Sequence, residues 1–141
     1  MQHTEISALS FTVPYLTPPS GNHYKSPCRY TGNDGYYHLG FKLSKAAHAF
    51  YDAVAIFAQG ASVDPETKEA RERTIYHVEV HIFLGRKQRG DDDNFAKCAL
   101  DALQYARVIH SDAAVREPKI IVHRDERDNP RTVYHVSRQE K

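Results

Sequence analysis

From Thr74 to Leu84 apolar and polar residues alternate, with Tyr76, Val78, Val80, Ile82 and Leu84 on one side and His77, Glu79 and His81 on the other. A period of two over eleven residues predicts a strand with one buried face. Two stretches change to helical spacing. Ala47, Phe50, Tyr51, Val54, Phe57 and Ala58 recur on one face of a helix that Ser44 caps and Gly60 ends. Phe95, Cys98, Ala99, Ala102, Leu103 and Ala106 form the stripe of a second helix, from about Asn94 to Tyr105.

Shorter elements fill the remainder. Ser10 to Val13 reads as a short strand stopped by Pro14, after a loosely held residue 1–10 segment. Tyr15 to Tyr24 contains Pro18-Pro19 and Gly21, which exclude helix and predict an extended, then turned, path. Gly32-Asn33-Asp34-Gly35 marks a hairpin between Tyr30 and Tyr37. Ala61 to Arg73 is polar and predicts a loop with at most one helical turn. Lys119 to Arg124 and Thr132 to Val136 predict a closing hairpin around Asp125 to Pro130. This order implies an α+β fold: a mixed β-sheet with two main helices packed on it.

With 141 residues, one domain spanning 1–141 is expected. No apolar run reaches the roughly 18 residues that a membrane span needs. The first residues lack the basic and apolar regions of a secretion signal, so a cytoplasmic protein is expected. Cys28 and Cys98 are too few and too far apart for a zinc pattern, and reduced thiols are expected. The net charge of +1 neither favours nor excludes nucleic acid. Its distribution says more: Lys25, Arg29, Lys42 and Lys45 gather in the first third, and Arg86, Lys87 and Arg89 crowd an acidic triplet.

That triplet, Asp91-Asp92-Asp93, lies between the long strand and the second helix. Three adjacent ionised carboxylates repel one another unless they share a cation or a basic group. They fit a metal site; they equally fit an acidic cap at a helix start. A calcium loop is excluded because Phe95 and Ala96 stand where its pattern needs an acid or amide and a glycine. No phosphate-cradling Gly-Lys-Ser/Thr loop and no nucleophile elbow is present. Oxygen ligands for a hard divalent ion, Mg²⁺ or Mn²⁺, are what remain. Lys97 follows at helical spacing from Asp93 and precedes Asp101 by four, so it is either an ordinary helix ion pair or a cation beside a reacting phosphate. His77-x-Glu79-x-His81 is a second candidate metal triplet. Lacking a fourth ligand at a matching spacing, it reads better as a solvent-facing or partner-facing strand surface.

Arg89-Gly90-Asp91-Asp92-Asp93-Asn94-Phe95-Ala96-Lys97, then Asp101-Ala102-Leu103 and Asp112-Ala113-Ala114-Val115, resemble the motifs of the RusA family of Holliday-junction resolvases. Pro18-Pro19-Ser20-x-Asn22 resembles its proline segment, so the likeness spans nearly the whole chain. The resemblance implies a homodimeric, Mg²⁺-dependent endonuclease that cuts four-way DNA junctions by paired nicks, in recombination and repair. It implies Asp91, Asp93 and Asp112 as catalytic metal ligands, Lys97 as the catalytic lysine and Asp101 in a secondary role. It also fits a phage or prophage origin. Ser111 and Ala114 depart from the family pattern, where an acid and a glutamine are usual. A flap or fork nuclease and a non-catalytic DNA-binding dimer are the alternatives. For the shared site to form, Asp112 must return to Asp93, with carboxylates about 4–6 Å apart across a metal. The dimer surface is expected among apolar or aromatic residues of the sheet or the Tyr-rich N-terminal third.

Overall fold

The computed structural model describes residues 5–90 and 92–140, with the side chains of 5, 6, 22, 23, 92 and 93 set aside. In chain order the elements are β1 (Glu5–Pro14), α1 (Gly21–Tyr24), β2 (Lys25–Thr31), β3 (Tyr37–Leu43), α2 (Lys45–Ala58), α3 (Lys68–Glu72) and β4 (Thr74–Phe83). A 3₁₀ turn (Asp92–Phe95), α4 (Ala96–Tyr105), a second 3₁₀ turn (Asp112–Ala114), β5 (Lys119–His123) and β6 (Arg131–Glu140) complete it. The expected α+β architecture is present: a mixed four-stranded sheet with α2 and α4 packed on one face.

The sheet order is β1-β6-β4-β5, with β6 antiparallel to both neighbours and β5 parallel to β4. The expected closing hairpin is therefore wrong, since β4 lies between β5 and β6. Neighbouring strands are about 4.8 Å apart, so the 124–130 segment needs to step across only two spacings. β4, apolar along one whole face, gains a ladder on both edges by that insertion. β1 is also longer than expected. It pairs with β6 from Glu5 onward, and the alternating Leu9, Phe11 and Val13 put their side chains toward the core.

The core lies between that face and the helices. Tyr76, Val78, Val80 and Ile82 of β4 meet Phe50, Val54, Cys98, Ala99, Ala102 and Leu103, all buried. Ser44 caps α2 as expected, its hydroxyl accepting from the Ala47 N–H at 3.1 Å. Tyr134 is fully buried and donates its hydroxyl to the Ala99 carbonyl at 2.9 Å, which ties α4 to the sheet. Burial holds that phenol well above its ordinary pKa, so it stays a neutral donor. The Cys98 thiol, on the buried stripe, is pushed up to about 12 by burial.

Two departures lie near the proline segment. The residues before Lys25 do contain a single helical turn, α1, placed after Pro18-Pro19 where neither ring obstructs it. β2 and β3 form a separate two-stranded sheet, turning at Gly32 to Tyr36 as the sequence indicated. Tyr30, Tyr36, Tyr37, Leu39 and Phe41 of this hairpin are exposed. No helix among the described residues is long and apolar enough to cross a membrane.

Candidate active site

The approach to the acidic triplet is held tightly. Gly90 has φ +149°, a backbone conformation that favours glycine, and a Cβ there would press on the Phe95 ring at 3.0 Å. Arg124 donates to the Gly90 carbonyl at 2.6 Å, and Arg127 donates to the carbonyls of Gly85 and Gln88 at 3.2 and 3.0 Å. Phe95 is buried and anchors the far end of the same loop. Asp91 itself lies outside the described residues. Of Asp93 the backbone is described, on the 3₁₀ turn that leads into α4; its side chain, and with it the expected distance to Asp112, is not. α4 takes Phe95 as its cap residue, with no side-chain cap bond.

Lys97 and Asp112 are brought together. The Lys97 Nζ lies 3.1 Å from Asp101 Oδ1 and 3.8 Å from Asp112 Oδ2, so one ammonium faces two carboxylates. The return of the chain to this point depends on how α4 ends. Arg107 takes the left-handed conformation at φ 61°, the Val108 N–H bonds the Leu103 carbonyl at 3.0 Å, and the Arg107 N–H bonds Gln104 at 3.1 Å. That helix-terminating motif reverses the chain, and the buried Val108 and Ile109 fix it to the core. Gln104 Oε1 then accepts from the Asp112 N–H at 3.0 Å, and Ser111 caps the turn by accepting from the Ala113 N–H at 3.2 Å. Ser111, where the family usually has an acid, thus has a local structural contact.

The two carboxylates differ. Asp101 faces inward, with a side chain 21% exposed, and accepts a hydrogen bond from the Tyr24 hydroxyl, which also meets Tyr51. Burial, then the bond to Asp101, raises the Tyr24 pKa, and burial pushes Tyr51 up to about 12. Both phenols are neutral at ordinary pH. Asp112, 35% exposed, has no such phenol donor among the bonds described, and opens to a groove of about 410 Å³ with Lys97, Asp101, Gln104 and Tyr105. The described acceptors in that groove are carboxylate, amide and phenol oxygens, the donor chemistry that suits Mg²⁺ or Mn²⁺.

Tyr24, Tyr51 and Gln104 escaped sequence reasoning. Tyr24 is 77 residues from Asp101, and no spacing rule links them. The basic residues are partly gathered as expected. Lys25, Lys42 and Lys45 line one groove of about 730 Å³ at the base of the hairpin, next in sequence to Tyr24. Arg29 stacks on the Tyr37 ring at 5.0 Å. Lys87 and Arg89 line another groove with Pro18 and Pro19, while Arg86 pairs with Asp128.

The sequence matches the family described as Endodeoxyribonuclease RusA over residues 16–136. The chain belongs to the RusA family. RusA proteins are endodeoxyribonucleases, hydrolases of DNA phosphodiester bonds, and membership implies action on Holliday junctions. The matched span contains the proline segment, the acidic triplet, Lys97, Asp101 and Asp112. No curated protein matches the chain.

Proposed function

We propose that this RusA-family chain is a Mg²⁺-dependent endonuclease that resolves four-way DNA junctions by symmetric paired nicks, as a homodimer with one site per subunit. The observation that carries the reading is Lys97 Nζ held within 4 Å of both Asp101 and Asp112, one helical turn from the 3₁₀ turn that bears Asp93. Asp91, Asp93 and Asp112 would hold the metal, through carboxylate oxygens. When bound, Mg²⁺ supplies charge neutralisation on the phosphate and a water of lowered pKa.

The other steps belong to the chain's own groups. The Lys97 ammonium, 68% exposed, faces the solvent from which a phosphodiester arrives and stabilises charge developing on its oxygens. Asp101, fixed by Tyr24, positions Lys97 rather than meeting the phosphate. Lys25, Lys42 and Lys45 give the DNA backbone a basic track at the base of the hairpin, which follows Tyr24 in the chain. The exposed aromatic side chains of the hairpin offer flat faces to unpaired bases at a branch point. A four-way junction has two symmetric strands to cut, which a two-fold dimer matches with two identical sites. The single domain, a cytoplasmic setting with reduced thiols and a part in recombination and repair accord with this reading.

Synthetic four-way junctions, flaps, forks and linear duplex, each incubated with and without Mg²⁺, test it. Paired cuts at symmetric positions of the junction, only with the divalent ion, are expected. Equal cutting of linear duplex, or cutting without any divalent ion, would overturn the proposal. Preference for a flap or fork would reassign the substrate.

A further inference from the structure

The outer face of the sheet carries a second set of metal-ligating groups, which neither the nuclease chemistry nor the core uses. The ladder places Glu79 of β4 opposite His135 of β6, and His135 opposite Ser10 of β1. His81 follows two residues after Glu79 and so shares its side of the strand. A carboxylate oxygen of Glu79 and one ring nitrogen from each of His81 and His135 all lie within 4.8 Å of one another. Sequence spacing offered no further ligand for His77-x-Glu79-x-His81. The structure supplies one from another strand, His135, and leaves His77 out, its Nε2 bonded to Gln139 Oε1 at 2.9 Å.

We propose that Glu79, His81 and His135 bind one divalent transition-metal ion of the Zn²⁺ class on this face. The second nitrogen of each ring has a partner of its own. His81 Nδ1 lies 2.9 Å from His123 Nε2, which leaves His81 Nε2, 3.1 Å from Glu79 Oε2, for the ion. His135 Nδ1 lies 2.7 Å from Ser10 Oγ, which leaves its Nε2. Metal-bound imidazoles are oriented in this way, the remote N–H donating to an acceptor that fixes tautomer and ring plane.

Two imidazoles and a carboxylate suit Zn²⁺, Co²⁺ or Ni²⁺ far better than Mg²⁺. Tetrahedral ligands bonded at about 2.0–2.1 Å sit roughly 3.3 Å apart. Glu79 and His81 are already near that spacing at 3.1 Å, and a ring nitrogen of His135 lies within 4.8 Å of both. A groove of about 340 Å³ beside Ser10, Glu79 and His135 gives the fourth position to water or an anion. Besides Glu79, its wall carries Lys119 and Glu117, one charge of each sign. The sheet separates this cluster from Lys97 and Asp112, because α4 packs on the opposite face.

The test counts metal on the full-length protein after chelator treatment. Zn²⁺ affinity is measured against a competing chelator, and Co²⁺ absorption reports the ligand set, for the wild type and for His81→Ala, His135→Ala, Glu79→Gln, His123→Ala and Asp112→Asn. One Zn²⁺ per chain is expected in the wild type and, with the same affinity, in Asp112→Asn. His81→Ala, His135→Ala and Glu79→Gln should weaken binding at least about 100-fold, and His123→Ala about 10- to 100-fold. Circular dichroism checks folding, and Glu79→Gln keeps the side-chain shape. Junction cleavage in Mg²⁺ by His135→Ala should remain at the wild-type rate, so this site and the nuclease site fail independently. Wild-type Zn²⁺ affinity in His135→Ala and Glu79→Gln would overturn the proposal. So would Zn²⁺ binding lost in Asp112→Asn alone.

Discussion

Two polar clusters sit on opposite sides of one sheet, and they are built differently. The outer one, Glu79, His81, His123 and His135, projects from neighbouring strands, so β-sheet register sets its geometry. The inner one, Lys97, Asp101 and Asp112, is assembled from a helix and a returning turn, and depends on how α4 ends. The polar groups differ too: imidazole nitrogens and one carboxylate outside, oxygens and one ammonium inside. A sheet holds ligands rigidly at fixed spacing, whereas a site at the junction of helix, turn and loop leaves room for a large, charged substrate.

The sharpest way to break that comparison is to exchange the readouts. Asp112→Asn or Lys97→Ala should lower junction cleavage by about 100- to 1,000-fold, the usual cost of removing one group that meets developing charge. Junction binding should persist in Asp112→Asn, since removing a carboxylate eases phosphate approach. His135→Ala should leave cleavage unchanged. Equal losses in both clusters would mean that they form one functional unit.

A next effect is on stability. Phe95→Ala should cost about 3–5 kcal/mol in denaturant unfolding, because Phe95 is buried against Gly90 and closes the acidic loop. A cost below 1 kcal/mol would show that this anchor is not needed.

Tyr24→Phe separates the two carboxylates that Lys97 faces. Losing a hydrogen bond to a charged group should cost about 1.5–3 kcal/mol of stability, with cleavage reduced less than about tenfold. A loss of activity as large as that of Asp112→Asn would place Asp101 in the catalytic machinery.

The α2 cap, the β4 alternation and the α4 stripe were legible because each is local. Ser44, Tyr76 to Leu84, and Phe95 to Leu103 declare themselves within a few turns or residues. The insertion of β4 between β5 and β6 was not, since a hairpin and a two-strand step look alike across residues 124–130. The site was half legible. Lys97 and Asp112 stand in a recognisable motif, but Tyr24 meets Asp101 across 77 residues, and His135 meets Glu79 only through the register of β6. Long-range pairing of this kind leaves no spacing signal in the sequence.

The smallest effect concerns Cys98. Its burial disfavours the thiolate, so its folded pKa of about 12 lies above the unfolded value. That contribution to stability is full below the unfolded thiol pKa of about 8.5 and is lost as pH rises through the folded value. At pH 8, alkylation of the native protein should label Cys28, which is half-buried, and spare Cys98 until the chain unfolds. Early labelling of Cys98, read by peptide mass spectrometry, would place α4 looser on the sheet than its packing implies.

The central claim is one Lys97–Asp112 site per chain, each cutting one strand of a junction. Its most direct test mixes wild-type chains with Asp112→Asn chains, isolates the mixed dimer and presents it with a supercoiled plasmid that extrudes a cruciform. The wild-type dimer should give a linear product and the mixed dimer a nicked circle. Linear product from the mixed dimer at the wild-type rate, or full activity from a protein that sediments as a monomer, would contradict the account.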